Sequence, residues 1–127
     1  MTALDAVLDE VLIIGLDDWV DAVSVTSLVK EVMGVEDQDA RREPAIEVIR
    51  MAVEGGLMRL GDYYDHEGFV PWDLDNDAAL ERVRRAWEAL DHPVNLYEVC
   101  WLDNTEAGDA RARAALERED QAAEPND

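Results

Sequence analysis

The spacing of apolar residues changes at residue 57, and this change constrains the fold more than any other feature. Before it, apolar residues recur at steps of three and four, which is the spacing of amphipathic helices. The stretches that show this spacing are 3–15, 25–33 and 44–53. After it, "LMRLGDYY" (57–64) alternates as a strand does, with Gly61 expected to break it. The pattern therefore predicts three helices followed by strands.

Residues at the ends of the first three stretches predict where each helix begins and ends. Thr2 and Ser24 are predicted N-caps, because their hydroxyls can accept a bond from a free backbone N–H group. Gly15 and Gly34 are predicted to end the first and second helices. Pro44 suits the first turn of the third helix, where the N–H group that it lacks has no partner in any case.

The rest of the chain predicts two more strands and two more helices. Residues 66–73 are predicted to return as an edge strand, because Pro71 cannot donate a ladder hydrogen bond. Residues 76–90 carry one apolar stripe and are predicted to be a helix with a buried tryptophan. Periodicity leaves 96–102 ambiguous, and its β-branched and aromatic content favours a strand. Thr105 is a candidate cap for a last helix.

Two segments link this order to a known fold. "EGGLMRLGD" (54–62) joins the third helix to the first strand, and "VCWLDNTEAGDARARAAL" (99–116) joins a strand to the last helix through Thr105 and Gly108. The order and the second segment resemble bacterial winged-helix repressors of the multiple-antibiotic-resistance type. The resemblance implies an α+β, mainly helical fold, with a winged-helix-like three-helix core and a small antiparallel β wing.

The chain departs from those repressors between the supposed wing strands. It inserts residues 64–96 there, so that the wing is elaborated by an inserted helix. Residues 1–115 are predicted to form a single domain. Residues 116–127 are predicted to be a disordered acidic tail, which ends in "DQAAEPND" without large apolar residues. The pieces "GFVPW" and "CWLDNT" also resemble a family of small, acidic, uncharacterised bacterial proteins, which implies no activity.

The charge of the chain limits the partners that it can bind. Thirty-one acidic residues stand against eleven basic ones, a net charge of −20. Binding to a phosphate backbone needs positive charge that releases counterions, and the chain offers only a modest basic spot. That spot is built from Arg41, Arg42, Arg50 and Arg59. The charge therefore disfavours nucleic acid and anionic membranes and favours a basic protein, with solubility or a saline habitat as the alternative explanation.

Three aspartates before the fourth helix have the spacing of a calcium loop. A calcium loop of the EF-hand type also needs Gly at position 6 and Glu at position 12. Counting from Asp73 through Asp75 and Asp77, these positions hold Ala78 and Arg84. The pattern instead predicts helix capping, since carboxylates accept bonds from the free N–H groups of a first turn.

Residues that carry chemistry are otherwise sparse. His66, His92 and Cys100 are the only nitrogen and sulfur ligands, and they form no CxxC or HExxH motif. Cys100 is flanked by apolar residues in an acidic chain, which is typical of a core thiol rather than a nucleophile. The chain has no Gly-rich phosphate loop and no pair of carboxylates that stands out. We therefore expect no enzyme activity, no metal and no cofactor.

Aromatic residues around the second predicted strand indicate a patch for partner binding. Rings rimmed by carboxylates are typical of protein interfaces, because the rings anchor the partner and the charges steer it. A second small core beneath the inserted helix is the alternative for the same rings. The predicted partner-binding residues are Asp62, Tyr63, Tyr64, Asp65, Glu67, Trp72, Asp73 and Asp75.

Together these features predict a non-enzymatic, acidic protein-binding module. A concrete form is an inhibitor or immunity-type protein that neutralises a basic partner such as a nuclease toxin. The alternatives are a winged-helix transcription regulator, which would bind DNA as a dimer through Arg41, Arg42 and Arg50, and a homodimeric adaptor or scaffold. A single cysteine, and the lack of a signal segment or a membrane-length apolar run, predict a cytoplasmic protein.

Overall fold

The computed structural model describes residues 2–123, and the chain is α+β and mainly helical, as predicted. The helices are α1 (Ala3–Ile14), α2 (Ala22–Met33), α3 (Arg42–Glu54), α4 (Asn76–Glu88) and α5 (Glu106–Ala123). The strands are β1 (Val20–Asp21), β2 (Met58–Tyr64), β3 (Gly68–Pro71) and β4 (Trp101–Asn104). A 3₁₀ turn, Asp39–Arg41, leads into α3, which places Pro44 in the first turn of that helix, as predicted.

Polar side chains set the starts of the first two helices. Thr2 caps α1, because its hydroxyl accepts from the backbone N–H of Asp5 at 3.1 Å and the Asp5 carboxylate accepts from the Thr2 N–H. The prediction of Ser24 as the cap of α2 is wrong. Asp21 caps that helix, since its Oδ1 accepts from the backbone N–H of Ser24 at 3.1 Å and from the Ser24 hydroxyl at 2.6 Å. Gly34 ends α2 in the left-handed region at φ 71°, as predicted.

The four strands form one antiparallel sheet in the order β1-β4-β2-β3. β3 is an edge strand that ends at Pro71, as predicted. The predicted break at Gly61 is wrong, because β2 runs through it and pairs it with Pro71 on one side and Trp101 on the other. A Cβ at Gly61 would lie 2.3 Å from the Val70 carbonyl oxygen. Glycine therefore permits the close approach of β3.

The segment 96–102 is a strand only in its last part. β4 begins at Trp101, and the residues before it form turns in which Tyr97 has φ 71° and Val99 has φ 72°. Extended strands need negative φ, so these two residues exclude the predicted strand over 96–100. The Cys100 N–H donates to the Glu98 carbonyl at 2.9 Å, which turns the chain just before it enters the sheet.

The last helix is longer than its apolar pattern indicates. α5 extends through Ala123, so residues 116–123 are helical where the sequence predicted a disordered tail. Asp9 of α1 is one cause, because it accepts bonds from both Arg111 (2.9 Å) and Arg118 (3.3 Å) of α5. Charge therefore ties α5 to α1 beyond the end of the apolar stripe. Residues 124–127 of the predicted tail lie outside the described residues.

The core lies between the first three helices and one face of the sheet. Leu8 and Leu12 of α1, Ile49 of α3 and Leu102 of β4 are among its largest fully buried side chains. α4 packs on the outside of α3 and adds Trp87, which is buried as predicted. Within residues 2–123, no helix combines the length and the apolar character needed to cross a membrane.

Candidate functional site

The predicted partner-binding residues lie on the β2–β3 hairpin and on the segment that leads into α4. Tyr64 ends β2 with 52% of its surface exposed, and Asp65 and Glu67 are exposed in the turn that follows. The Glu67 N–H closes this turn by donating to the Tyr64 carbonyl at 3.2 Å. The turn therefore displays one ring and two carboxylates to solvent.

The alternation of β2 divides the predicted patch between two faces of the sheet. Asp62 and Tyr64 lie on the same face as the buried Leu60, whereas Tyr63 lies on the opposite face. The Asp62 carboxylate approaches the guanidinium of Arg82, from α4, at 3.5 Å. The structure therefore does not bring Tyr63 together with its two sequence neighbours.

Trp72 contributes to packing on the α4 side of the sheet. It is half-buried against the core, and the Arg82 guanidinium stacks over its ring at 4.0 Å from the centroid. Its buried Nε1–H has no hydrogen-bond partner among the described residues. This position fits the alternative of a small core beneath the inserted helix. Asp73 is exposed, and Asp75 caps α4 by accepting from the Ala78 N–H at 2.8 Å, which confirms the predicted cap.

Four rings meet on the other side of the hairpin, and we call them the aromatic cluster: Trp19, Tyr63, Tyr97 and Trp101. Tyr63 lies at its centre, 5.4 Å from Trp19, 5.3 Å from Trp101 and 6.1 Å from Tyr97, all between ring centroids. By strand alternation, Tyr63 and Trp101 point away from the buried Leu102. The sequence prediction included only Tyr63. The alternation of Trp101 with Leu102 was the one local signal for a second member.

Two of the three arginines of the DNA-binding alternative, Arg41 and Arg50, are bound by groups of the same chain. Arg50 is held between Glu47 and Glu54 of its own helix, and these carboxylates raise its pKa. Arg41 donates to the carbonyl oxygens of Val35 and Glu36, both at 2.8 Å. Arg41 thereby holds the loop before α3 rather than projecting freely from it.

A cavity lies where α2, the start of α3 and the end of α4 meet. Its volume is about 710 Å³, which is in the range of small-molecule sites. Arg41 and Arg42 both line it, together with Trp87 and His92. The His92 Nδ1 lies 2.8 Å from the Pro93 carbonyl, which raises the pKa of the ring, and the nearby Glu98 and Asp91 raise it further.

Nucleophilic and metal chemistry gain no support from the geometry. Cys100 is 2% exposed, and its burial raises the pKa of the thiol, with Asp21 and Asp62 adding to the effect. A thiol with a raised pKa stays protonated and is a poor nucleophile. Residues 2–123 contain no group of three or more His, Cys, Asp and Glu side chains that could hold a metal ion.

Comparison with protein-family models, with curated proteins and with solved structures gives no match. The function proposed below therefore rests on geometry and charge. Within residues 2–123, seven of the ten arginines form ion pairs with carboxylates: Arg50, Arg59, Arg82, Arg84, Arg85, Arg111 and Arg118. Most of the positive charge is thus neutralised within the molecule, and an excess of carboxylates remains unpaired.

Proposed function

We propose that this chain is a non-enzymatic, acidic protein-binding module that neutralises a basic partner, as an inhibitor or immunity-type protein does. The internal pairing of seven arginines in a chain of net charge −20 carries the proposal. An acidic surface most of whose cations are already paired attracts basic proteins and repels phosphate backbones. The hairpin turn with Asp65 and Glu67 supplies carboxylates at an exposed position.

The position of α4 supports the same proposal. α4 packs against α3, and Arg84 of α4 donates to both carboxylate oxygens of Glu43 at 3.0 and 3.2 Å. These bonds lower the pKa of Glu43, so the pair is charged at neutral pH. The helix that would enter a DNA groove in the alternative account is therefore partly covered. Its outward side carries Glu47 and Glu54 around Arg50.

Affinity capture tests the proposed function. The chain is immobilised and exposed to lysate of its native host at 50 mM NaCl, and both bound proteins and bound nucleic acids are identified. We expect a basic protein whose affinity falls at least about tenfold at 500 mM NaCl, because salt screens attraction between exposed charges. A captured enzyme such as a nuclease should also lose activity when the chain is added. Equal affinity at both salt concentrations would contradict the proposal.

The DNA-binding alternative has one observation in its favour. The helices α1, α2 and α3 precede β2 and β4 in the chain, and β1 pairs with β4. This arrangement supports an elaborated winged helix. A gel shift against genomic fragments at low salt tests it directly. A sequence-selective shift at sub-micromolar protein would favour the regulator and count against the protein-binding module. Light scattering on the same sample tests the homodimeric scaffold.

A further inference from the structure

An exposed apolar pair precedes β4 in a strained backbone. Leu96 and Tyr97 have 56% and 61% of their surfaces exposed, the largest fractions among the large hydrophobic side chains of the described chain. Tyr97 and Val99 both lie in the left-handed region, at φ 71° and 72°, which is unfavourable for residues with a Cβ and most of all for a β-branched one. Strain of this kind is often found at binding sites.

Local bonds hold this segment in place. The Glu98 carboxylate accepts from the Asn95 N–H at 2.7 Å, and the Glu98 N–H donates to the Asn95 carbonyl at 3.2 Å. Cys100 anchors the end of the segment in the core, because it is only 2% exposed. The surrounding structure therefore fixes Leu96 and Tyr97 in an outward position before any partner arrives, which lowers the entropy cost of binding.

Tyr97 joins the exposed pair to the aromatic cluster. Its ring lies 5.4 Å from Trp101 and 6.1 Å from Tyr63. Trp19 extends the cluster on the far side of Tyr63. Trp19 can reach the hairpin because Gly68 has no side chain, since a Cβ there would lie 3.1 Å from the Trp19 ring. Four contiguous rings thus form one aromatic surface that ends at an exposed tyrosine.

Two carboxylates adjoin rings of this surface. The exposed Asp18 precedes Trp19, and Glu98 follows Tyr97. Asp103 lies on the same face as Trp101 but pairs with Arg59, and Asp62 lies on the opposite face of β2 from Tyr63. The chain also stacks its own arginines on rings elsewhere. Arg82 lies 4.0 Å from the Trp72 centroid and Arg59 lies 5.5 Å from the Phe69 centroid. Rings and carboxylates together are the two groups that a guanidinium prefers, because it stacks through its plane and donates through its edge.

We propose that the aromatic cluster together with Leu96 is the docking surface for an arginine-bearing segment of the basic partner. Guanidinium groups of that segment stack on Tyr97 and Trp101, and the neighbouring carboxylates accept their N–H groups. The charge of the chain argues against a second copy as the occupant, because two molecules of net charge −20 repel each other. This inference rests on the proposed function and names the surface and the side-chain type that it recognises.

The test uses a twelve-residue peptide of alternating arginine and glycine as the probe. Calorimetry at 50 mM NaCl measures its affinity for the full chain and for two variants. Tyr97→Asn removes a ring from the cluster with a residue that tolerates the left-handed region. Val32→Asn removes an exposed apolar side chain from α2, which contributes no ring to the cluster, and is the control. Circular dichroism verifies that both variants fold.

We expect Tyr97→Asn to weaken peptide binding about tenfold, as loss of a stacked anchor does, and Val32→Asn to change it less than about twofold. A Tyr97→Phe variant, which keeps the ring, should bind like the parent chain. The matching lysine–glycine peptide should bind more weakly than the arginine peptide, because an ammonium group cannot stack through a plane.

Three results would overturn the inference. The first is a parent chain that binds the arginine peptide but loses no affinity through Tyr97→Asn, which would leave the proposed function standing and place its surface elsewhere. The second is an equal loss through Val32→Asn, which would show that the effect of Tyr97→Asn is not specific to the cluster. The third is a dimer in sedimentation equilibrium that Tyr97→Asn dissociates, which would make the cluster a contact between copies. Failure to bind any basic peptide or protein would instead remove the proposed function itself.

Discussion

Two neighbouring carboxylates on α1 have opposite surroundings. Asp9 is 6% exposed and accepts bonds from Arg111 and Arg118. Glu10 faces another carboxyl group, Glu119 of α5, and the hydrogen bond between the two raises the pKa of Glu10 to about 7, with burial adding to the effect. Asp9 thus binds α5 through its negative charge, whereas Glu10 binds α5 best when it carries a proton.

The substitution Glu10→Gln tests this difference. A raised carboxyl pKa means that the contribution of Glu10 to stability is complete below its unfolded value near 4.5 and is lost as pH rises through about 7. Glutamine donates without titrating, so the fall in Tm between pH 5 and pH 8 should shrink by roughly 2 °C, a small figure because solvent screens the site. Calorimetry measures it. Glu117→Gln, an exposed site on α5, should leave the fall unchanged.

At the scale of the elements, the sequence predicted the helices that have a periodic apolar pattern. It did not predict features that depend on contacts between residues far apart in the chain. The helices follow from their apolar periodicity, and the edge position of β3 follows from Pro71. The choice of Asp21 over Ser24 as a cap depends on β1, which pairs Asp21 with Trp101 across the sheet. No local pattern contains that pairing.

The candidate site was predictable only in part for the same reason. The hairpin acids and Tyr63 stood out because they are close in sequence, yet strand alternation sends Tyr63 and Tyr64 to opposite faces. Trp19 and Tyr97 reach Tyr63 only through the fold, from positions far apart in the chain. The left-handed backbone of Tyr97 was also not predictable, because glycine and asparagine, not tyrosine, are the residues expected at left-handed positions.

The junction of β2 and β3 gives a sharp test at this scale. Gly61→Ala places a Cβ 2.3 Å from the Val70 carbonyl oxygen and 2.7 Å from the Phe69 ring. Because a backbone carbonyl cannot move aside cheaply, we expect a loss of roughly 3 kcal/mol in the free energy of unfolding. Denaturant titration measures the loss. Gly34→Ala, which meets no atom within 4 Å but keeps a φ of 71°, should lose only about 1 kcal/mol. Equal losses would show that backbone conformation, not contact, sets the cost.

At the scale of the whole molecule, charge dominates. Eleven basic residues cannot offset thirty-one acidic ones, and the ion pairs that they form are mostly exposed and individually weak. The remaining carboxylates repel one another and oppose the compact state. We therefore expect the acidic surface to cause some loss of stability.

The dependence of Tm on salt concentration should reveal this loss of stability. Raising NaCl from 50 to 500 mM shortens the screening length from above 10 Å to below 8 Å, which weakens repulsion among many exposed carboxylates. Exposed ion pairs weaken as well, but each contributes little, so we expect Tm to rise by several degrees. Calorimetry in NaCl measures the change, and KCl at equal concentration should give a similar rise because it screens charge equally. A fall in Tm would show that the arginine pairs outweigh the repulsion.

The hydrogen bonds that Asp9 accepts from Arg111 and Arg118 of α5 have a consequence for synthesis on the ribosome. Arg111 and Arg118 follow Asp9 by 102 and 109 residues, so the carboxylate leaves the exit tunnel several seconds before either guanidinium is made. During that interval α1, which is acidic and partly apolar, has no α5 to pack against. The nascent chain therefore completes its fold late, and a truncation ahead of Arg111 should accumulate as a chaperone-bound or degraded species rather than as a smaller folded protein.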